Sequence, residues 1–371
     1  MAPPVSSTNG SGLVDTHIHV TTPSYLKAIS DIGGDPSGWS TPVWTLEDCV
    51  RFCDTIGESF SVLSVTTPGP AIFGPTEAGR KLTRAVNNEV WEVCSGAKGR
   101  FGFFASLPDF NDVEGTLEEI KHIFEEEKKA NGVIVMTSYG ERLLGDEHFK
   151  PIWESLENYK ALVFVHPTVL NITPEKVGGY LPAPVIDFTH ATTRAVVSLL
   201  VSGIATACPN VDIILSHAGG TIPFIAQRAI GFLAEPAFQS QSRTSVTEAK
   251  HALGRFYYDI ALSTSTPQLK ALLAFTSPSN VLYGSDYPYA PKRIIYEELL
   301  RYSNFVASEE GKGIRPACLS KNAIAILQKH KAENTILPVS QEVGGSKEPE
   351  FGLESNQVAE QARHQLAKLD S

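Results

Sequence analysis

Two histidines one residue apart, His17 and His19, are the first residues of this chain whose types and spacing could do chemistry. They stand in an apolar segment, residues 13–20, that is typical of a β-strand. Alternate side chains of a strand share one face, so both imidazoles point the same way. Two imidazoles on one face are half of a divalent-metal site. Because a His-x-His pair also occurs by chance, the other ligands have to be found elsewhere in the chain.

Three more polar side chains stand where later predicted strands end. His166 ends the fifth predicted strand, His217 follows the sixth and Asp286 follows the eighth. Taken singly, each could be an ordinary buried residue. In a barrel, however, the carboxyl ends of all strands converge on one face, where catalytic groups gather. Three imidazoles and a carboxylate suit zinc, with manganese or iron as alternatives.

Eight short apolar segments, each followed by a helical pattern, must position these residues. The predicted strands are 13–20, 60–66, 100–106, 132–136, 161–165, 211–215, 256–260 and 280–283, and the helical patterns include 76–96, 111–130, 190–206, 292–302 and 316–330. This repeat predicts an α/β fold, a single-domain (β/α)8 TIM barrel. The alternative is a doubly wound open sheet. No Gly-x-Gly-x-x-Gly follows the first strand, which disfavours a dinucleotide-binding fold.

The barrel is expected to occupy residues 13–333 as one metal-dependent enzyme domain. Residues 1–12, rich in Pro, Ser and Gly, predict a disordered leader. Residues 334–371 predict a C-terminal tail with a flexible link followed by a polar helix over 354–369. The loop at 21–44 and a second loop at 167–187 are long enough to have a function of their own.

Composition excludes several classes of function. A formal net charge of −10 and a pI of about 5.5 argue against a nucleic-acid partner and against an anionic membrane surface. Five cysteines, an odd number, form no Cys-x-x-Cys pair. No secretory signal is predicted, and no apolar run approaches the length of a membrane span. A cytoplasmic, reducing location is therefore expected.

Four motifs together resemble the amidohydrolase superfamily, in its branch of metal-dependent decarboxylases that includes aminocarboxymuconate semialdehyde decarboxylase and γ-resorcylate decarboxylase. They are Asp15-Thr-His-Ile-His19, Val165-His-Pro-Thr168, Leu215-Ser-His-Ala-Gly-Gly220 and Tyr283-Gly-Ser-Asp-Tyr-Pro288. They extend over residues 13 to about 330. The first loop, residues 35–47, is most similar to that of fungal 6-methylsalicylate decarboxylases.

The resemblance implies a site built around one divalent metal ion, zinc by preference and manganese otherwise. It assigns His17, His19 and His166 as metal ligands, with Asp286 as a further ligand or an acid beside the metal. His217 is then an acid/base that lies close to the metal without binding it. The fourth predicted strand ends without a lysine that could bridge a second metal, which fits a mononuclear site.

The implied reaction is the non-oxidative decarboxylation of an ortho-hydroxybenzoic acid. Its most specific form is 6-methylsalicylate to 3-methylphenol in fungal polyketide secondary metabolism, with Asp286 as first choice for the proton donor and His217 orienting or reprotonating it. The candidates to line the pocket around the aromatic ring are Trp39, Trp44 and Tyr287, although each could equally be a core residue.

Arg228 corresponds to an arginine that, in the muconate decarboxylase, reaches the substrate carboxylate across a dimer interface. A homodimer or a dimer of dimers is therefore expected, although a lone helix arginine is often a surface residue. The family's second carboxylate-binding arginine falls at Cys49. Arg51 lies two residues along the same helix, about 200° around its axis, and should face elsewhere. This departure argues against the muconate substrate.

Two other readings of the same residues are a mononuclear hydrolase, such as a lactonase or amidase, and a barrel whose metal is only structural. The product distinguishes the hydrolase from the decarboxylase, because only the latter releases carbon dioxide. The structural reading is disfavoured because structural zinc sites are usually closed by cysteines, whereas these ligands are predicted at an open barrel mouth.

Overall fold

The computed structural model describes residues 12–97, 99–172, 175–333, 336–338 and 355–370. Within them the strands are β1 (Leu13–His19), β2 (Glu58–Ser64), β3 (Phe101–Ser106), β4 (Gly132–Met136), β5 (Ser138–Tyr139), β6 (Arg142–Leu143), β7 (Leu162–His166), β8 (Asp212–Leu215), β9 (Tyr257–Asp259) and β10 (Val281–Leu282). The helices are α1 (Pro23–Asp31), α2 (Leu46–Ile56), α3 (Glu77–Gly96), α4 (Val113–Lys121), α5 (Lys150–Asn158), α6 (Asp187–Val201), α7 (Ile204–Ala207), α8 (Ile222–Gly231), α9 (Pro236–Gln239), α10 (Val246–Leu253), α11 (Thr266–Phe275), α12 (Lys292–Val306), α13 (Pro316–Lys329) and α14 (Ser355–Leu369).

Eight parallel strands form the barrel in the order β1-β2-β3-β4-β7-β8-β9-β10. The first and last strands meet where the Thr16 N–H donates to the Tyr283 carbonyl at 3.0 Å, which closes the cylinder. The hairpin of β5 and β6 is antiparallel and forms a separate sheet. The predicted single-domain (β/α)8 barrel is therefore confirmed.

The strands are buried on both faces, as their apolar composition predicts. Every residue of β1, β2, β3, β4 and β7 is buried. One face fills the barrel interior and the other packs against the surrounding helices, which is the arrangement expected of an all-parallel barrel. In the described part of the chain, no helix combines the length and the apolar character needed to cross a membrane.

Some helices and strands begin or end at residues other than those predicted, for reasons of local backbone conformation. Helix α2 ends at Gly57, whose φ of 79° terminates the helix in the left-handed region, so β2 begins at residue 58 rather than 60. Gly203, with φ 78°, divides the predicted helix at 190–206 into α6 and α7. The α-helical part of the predicted helix at 111–130 ends at Lys121, and a π-helical turn follows.

The C-terminal helix α14 matches the helix predicted at 354–369 but has an apolar face. Val358 and Ala362 are buried where α14 packs against α12 and α2. Arg293 of α12 pairs with Asp370, just beyond α14, at 2.7 Å. The predicted leader, except for Gly12, and the predicted link before residue 354, except for residues 336–338, lie outside the described residues.

Candidate metal centre

Three separate segments at the carboxyl end of the barrel bring four potential ligands together. Strand β1 supplies His17 and His19, β7 ends on His166, and the segment after β10 supplies Asp286. All four are buried, and one ligand atom from each lies within 4.8 Å of those of the other three. The structure therefore assembles the set that the sequence predicted as metal ligands.

His17 is oriented by a carboxylate that the sequence analysis missed. Its Nδ1 lies 3.0 Å from Oδ2 of Asp259, the last residue of β9. Asp259 is fully buried, and its Oδ1 also accepts the backbone N–H of His217 at 3.1 Å. One carboxylate thus positions two histidines of the site. Asp259 could have been predicted from its position at the end of a barrel strand.

The other two histidines are oriented in the same way, through Nδ1. His19 Nδ1 lies 3.1 Å from the Ser64 hydroxyl oxygen, and His166 Nδ1 lies 2.8 Å from the Pro167 carbonyl oxygen. Each ring is thereby left with Nε2 as its free ligand atom, the arrangement usual for metal-binding histidines. The Nε2 atoms of His17 and His19 are buried and make no hydrogen bond within the described residues. This donor set fits one divalent cation.

The electrostatics of the four side chains also suit a cation. Burial lowers the pKa of His19 and holds the pKa of His166 well below its usual range, so both rings are neutral ligands. Burial alone would raise the pKa of Asp286, but His17 and His19 hold it well below its usual range. Burial would likewise lower the pKa of His17, but Asp259 raises it to about 10. Binding of a cation would therefore release the proton of His17.

His217 lies beside this set but is not part of it. Its Nε2 is 3.5 Å from Asp286 Oδ2, and its ring centroid is 4.9 Å from that of His17. Both His217 and Asp286 have left-handed backbones, with φ of 53° and 60°. Such conformations cost about 1–3 kcal/mol for residues other than glycine and concentrate at functional sites.

Close backbone packing holds Asp286 against β1. The backbone N–H of Asp286 donates to the His17 carbonyl at 2.8 Å. A Cβ at Gly284 would lie 2.7 Å from the Cβ of His17, too close for any side chain. Glycine at this position is therefore what allows the last barrel segment to reach the first strand.

A cavity of about 400 Å³ opens above the cluster. Its lining includes His166, His217 and Asp286 from the barrel, and Trp39 from the first loop. The volume lies in the range of small-molecule sites, about 300–1,000 Å³. Other apolar lining comes from Val185, Phe188, Leu262 and Ile294.

Two of the aromatic residues predicted to wall the substrate lie elsewhere. Tyr287 is buried in the core and stacks on Phe52 with ring centroids 4.1 Å apart. Trp44 packs against the core and does not line the cavity. Tyr289, which was not predicted, lines it instead, and its hydroxyl is buried without a hydrogen-bond partner in the described structure.

The two arginines considered from the sequence both lie outside the cavity of their own chain. Arg228 is exposed on α8, with its guanidinium 5.8 Å from the ring centroid of Phe232. Arg51 is exposed and pairs with Asp48 at 2.8 Å, whereas Cys49 is fully buried. Arg51 thus faces elsewhere, as its helical position predicted.

Comparison with known proteins assigns the family. The amidohydrolase family profile matches residues 14–329. A 6-methylsalicylic acid decarboxylase from Penicillium expansum is 38% identical over 299 residues, covering 80% of this chain and 90% of the relative. The 6-methylsalicylic acid decarboxylase acuB from Aspergillus aculeatus is 35% identical over 328 residues, covering 86% and 96%.

Among solved structures, 5-carboxyvanillate decarboxylase from Novosphingobium aromaticivorans, complexed with manganese and 4-hydroxy-3-methoxy-5-nitrobenzoic acid, superposes with a TM-score of 0.75. It is 18% identical and the match covers 87% of this chain and 97% of that one, a likeness that bears on the fold alone. With the profile spanning the barrel and relatives above 30% identity over most of their length, this chain belongs to the amidohydrolase family.

Proposed function

We propose that this chain is a metal-dependent carboxy-lyase that converts 6-methylsalicylate to 3-methylphenol and carbon dioxide. Decarboxylation of a hydroxybenzoic acid is the activity common to the named fungal relatives. Their 35–38% identity over most of the chain also supports 6-methylsalicylate as the first substrate to test.

The observation that carries the proposal is the position of the four-ligand cluster at the base of the cavity. None of the described residues that line this cavity is a lysine or an arginine. Among the described residues of its own chain, an aromatic acid entering this cavity finds positive charge only at the cluster. A divalent cation held by His17, His19, His166 and Asp286 would supply a Lewis acid and a template for the phenolate and carboxylate oxygens. We propose zinc, with manganese as the alternative, since three imidazoles and one carboxylate suit both.

The protein's own residues would move the proton. Because the pKa of Asp286 lies well below its usual range, Asp286 is a carboxylate until a proton from solvent reaches it through His217. Asp286 then adds that proton to the ring carbon that bears the substrate carboxylate, and a C–H bond forms. The bond to the carboxylate then breaks, its electron pair returns to the ring, and carbon dioxide leaves. His217, whose Nε2 is 3.5 Å from Asp286 Oδ2, returns a proton to the carboxylate for the next cycle.

Tyr289 would orient the substrate. Its ring stands perpendicular to that of His19, with ring centroids 5.6 Å apart, so the Tyr289 ring lies beside the metal centre. A buried hydroxyl without a partner costs free energy unless a ligand satisfies it. A substrate oxygen that accepts its hydrogen bond would do so. The apolar side chains of Phe188 and Leu262 in the cavity lining would exclude water from the aromatic ring of the substrate and suit a methyl substituent on it.

Release of carbon dioxide tests the proposal directly. The purified protein, with its metal content measured, is incubated with 6-methylsalicylate, salicylate and 2,6-dihydroxybenzoate, and carbon dioxide and the phenol product are followed. We expect 6-methylsalicylate to give the highest kcat/KM. Hydrolysis of a lactone, with no carbon dioxide from any of the acids, would contradict the proposal.

We further propose that the chain works as a homodimer or as a dimer of dimers, in a reducing cytoplasm and in fungal secondary metabolism. The exposed face of α8 and the turn after it, which includes Phe224 and Phe232 beside Arg228, is apolar enough for a subunit interface. Through it, Arg228 would reach a neighbouring cavity. All five cysteines are free, which supports a reducing compartment. Sedimentation of the wild type and of Phe224→Asp tests the assembly, because only the wild type should dimerise.

A further inference from the structure

The cavity carries more negative than positive side chains away from the metal centre. Its lining contains Asp35 and Glu298 in addition to Asp286, and no lysine or arginine among the described residues. In a partly buried site of low polarity, like charges repel more strongly than they do in water. A second negative group on a substrate would therefore be exposed to these carboxylates.

Two of the three carboxylates have partners that balance their negative charge. Asp286 faces the histidines of the metal centre. Glu298 accepts the backbone N–H of Thr264 at 3.0 Å and forms an ion pair with Arg301. Neither presents an unpaired charge to the centre of the cavity.

Asp35 is different, because it forms no ion pair with any residue that the structure describes. Its Oδ1 accepts the backbone N–H of Ser37 at 2.7 Å. Its loop is held over the cavity by the Ala183 N–H, which donates to the Ser37 carbonyl at 3.3 Å. Burial raises the pKa of Asp35 and of Tyr289, and Asp35 raises the pKa of Tyr289 further. The Asp35 carboxylate is thus within electrostatic reach of the hydroxyl that we propose orients the substrate.

We propose that Asp35 is a specificity-determining residue that restricts the substrate to monoanions, by repelling any second carboxylate on the aromatic ring. This inference rests on the proposed function and deepens it. The substrate class becomes hydroxybenzoates whose remaining ring substituents are uncharged, such as hydrogen, methyl or hydroxyl.

Asp35→Asn removes the charge of the side chain and keeps its structural role. Asparagine retains the oxygen that accepts the Ser37 N–H, so the turn is preserved. Asp35→Ser, which also keeps a side-chain oxygen, is a second variant should the first fold poorly. The matched control is Asp31→Asn, which removes the same charge from an exposed residue at the end of α1 that pairs with Lys27.

The measurement is the dissociation constant of paired ligands on the metal-loaded protein. One member of each pair is a salicylate with a second carboxylate at ring position 4 or 5, and the other carries a carboxamide there, which has nearly the same shape but no charge. Quenching of tryptophan fluorescence reports binding, because Trp39 lines the cavity. We expect the wild type and Asp31→Asn to prefer the amide on the order of tenfold at one position at least. Asp35→Asn or Asp35→Ser should reduce that preference to about threefold or less.

Two outcomes would overturn the role of Asp35. One is equal affinity of the wild type for acid and amide at both positions, and the other is an unchanged preference in both Asp35 variants. Release of carbon dioxide from 6-methylsalicylate, measured in parallel, keeps the two proposals distinguishable. Normal release together with either outcome overturns the role of Asp35 alone. No binding of any salicylate and no release of carbon dioxide overturns both proposals.

Discussion

At the scale of single residues, the site separates histidines that can hold a metal from one that can move a proton. His17 and His217 lie close together, yet they have different partners. His17 Nδ1 faces the Asp259 carboxylate and leaves Nε2 toward the other ligand atoms. Both rings turn Nε2 toward Asp286, each at 3.5 Å, but the Nδ1 of His217 has no hydrogen-bond partner among the described residues. We therefore propose different roles for the two histidines, a metal ligand at His17 and an acid/base at His217.

Substituting the two histidines should separate these roles. His217→Ala should retain the metal and lose about a hundredfold or more in kcat, the usual contribution of a positioned acid/base. His17→Ala should lose both the metal and the activity, because it removes a ligand from the centre. Elemental analysis after dialysis, together with steady-state kinetics, measures both effects. Loss of the metal from His217→Ala would show that the ligand assignment is incorrect.

Tyr289 and Tyr287 form a natural pair for testing substrate orientation. Tyr289→Phe removes a buried hydroxyl from the cavity lining and should lower kcat/KM for 6-methylsalicylate on the order of tenfold, since a hydrogen bond to a charged group contributes about 1.5–3 kcal/mol. Tyr287→Phe keeps the stacking on Phe52 and should leave the kinetics unchanged. Equal kinetics for Tyr289→Phe and the wild type would remove Tyr289 from substrate binding.

At the scale of elements, α14 supports part of the cavity from the outside. It buries Val358 and Ala362 against its neighbours, which include α12. Helix α12 in turn supplies Ile294 and Glu298 to the cavity lining. The metal ligands, by contrast, lie on or just after barrel strands, whereas the main packing of α14 is against the helices α12 and α2. The C-terminal helix should therefore affect substrate binding more than metal binding.

Ending the chain after residue 338 tests this support. Losing the burial of the apolar face of α14 should destabilise the protein by about 2 kcal/mol or more, and should raise KM more than it lowers kcat. Thermal unfolding and kinetics measure the two effects. Arg293→Gln is the control, because it breaks only the exposed pairs with Glu297 and Asp370 and should leave both quantities unchanged. An unchanged melting temperature after truncation would show that α14 contributes little.

At the scale of the whole molecule, the metal centre joins strands that are distant along the barrel. Ligands from β1, β7 and the segment after β10 meet at one point of the cylinder. A ligand that binds only the folded state stabilises it by mass action, by about 4 kcal/mol at a thousandfold excess over Kd. Metal binding should therefore stabilise the entire barrel rather than one loop.

Removing the metal with a chelator should lower the melting temperature by several degrees, and adding zinc or manganese should restore it. His217→Ala should show the same metal-dependent gain as the wild type, and His17→Ala should show none. Scanning calorimetry across a range of metal concentrations measures this. A melting temperature independent of metal in the wild type would argue against binding by these four residues.

The sequence by itself determined the barrel and the convergence of its strand-end histidines and Asp286, and the family resemblance selected four of these residues as candidate metal ligands. Periodic apolar strands are a local property, and parallel strands of a closed barrel present their carboxyl ends on one face, so His17, His19, His166 and Asp286 had to converge. The tertiary structure alone decided which side chains surround them. Asp259 and Tyr289 had no motif, because their roles depend on contacts with distant residues. Tyr287 and Tyr289 are two positions apart, and only the path of the chain after β10 places one in the core and the other in the lining of the cavity.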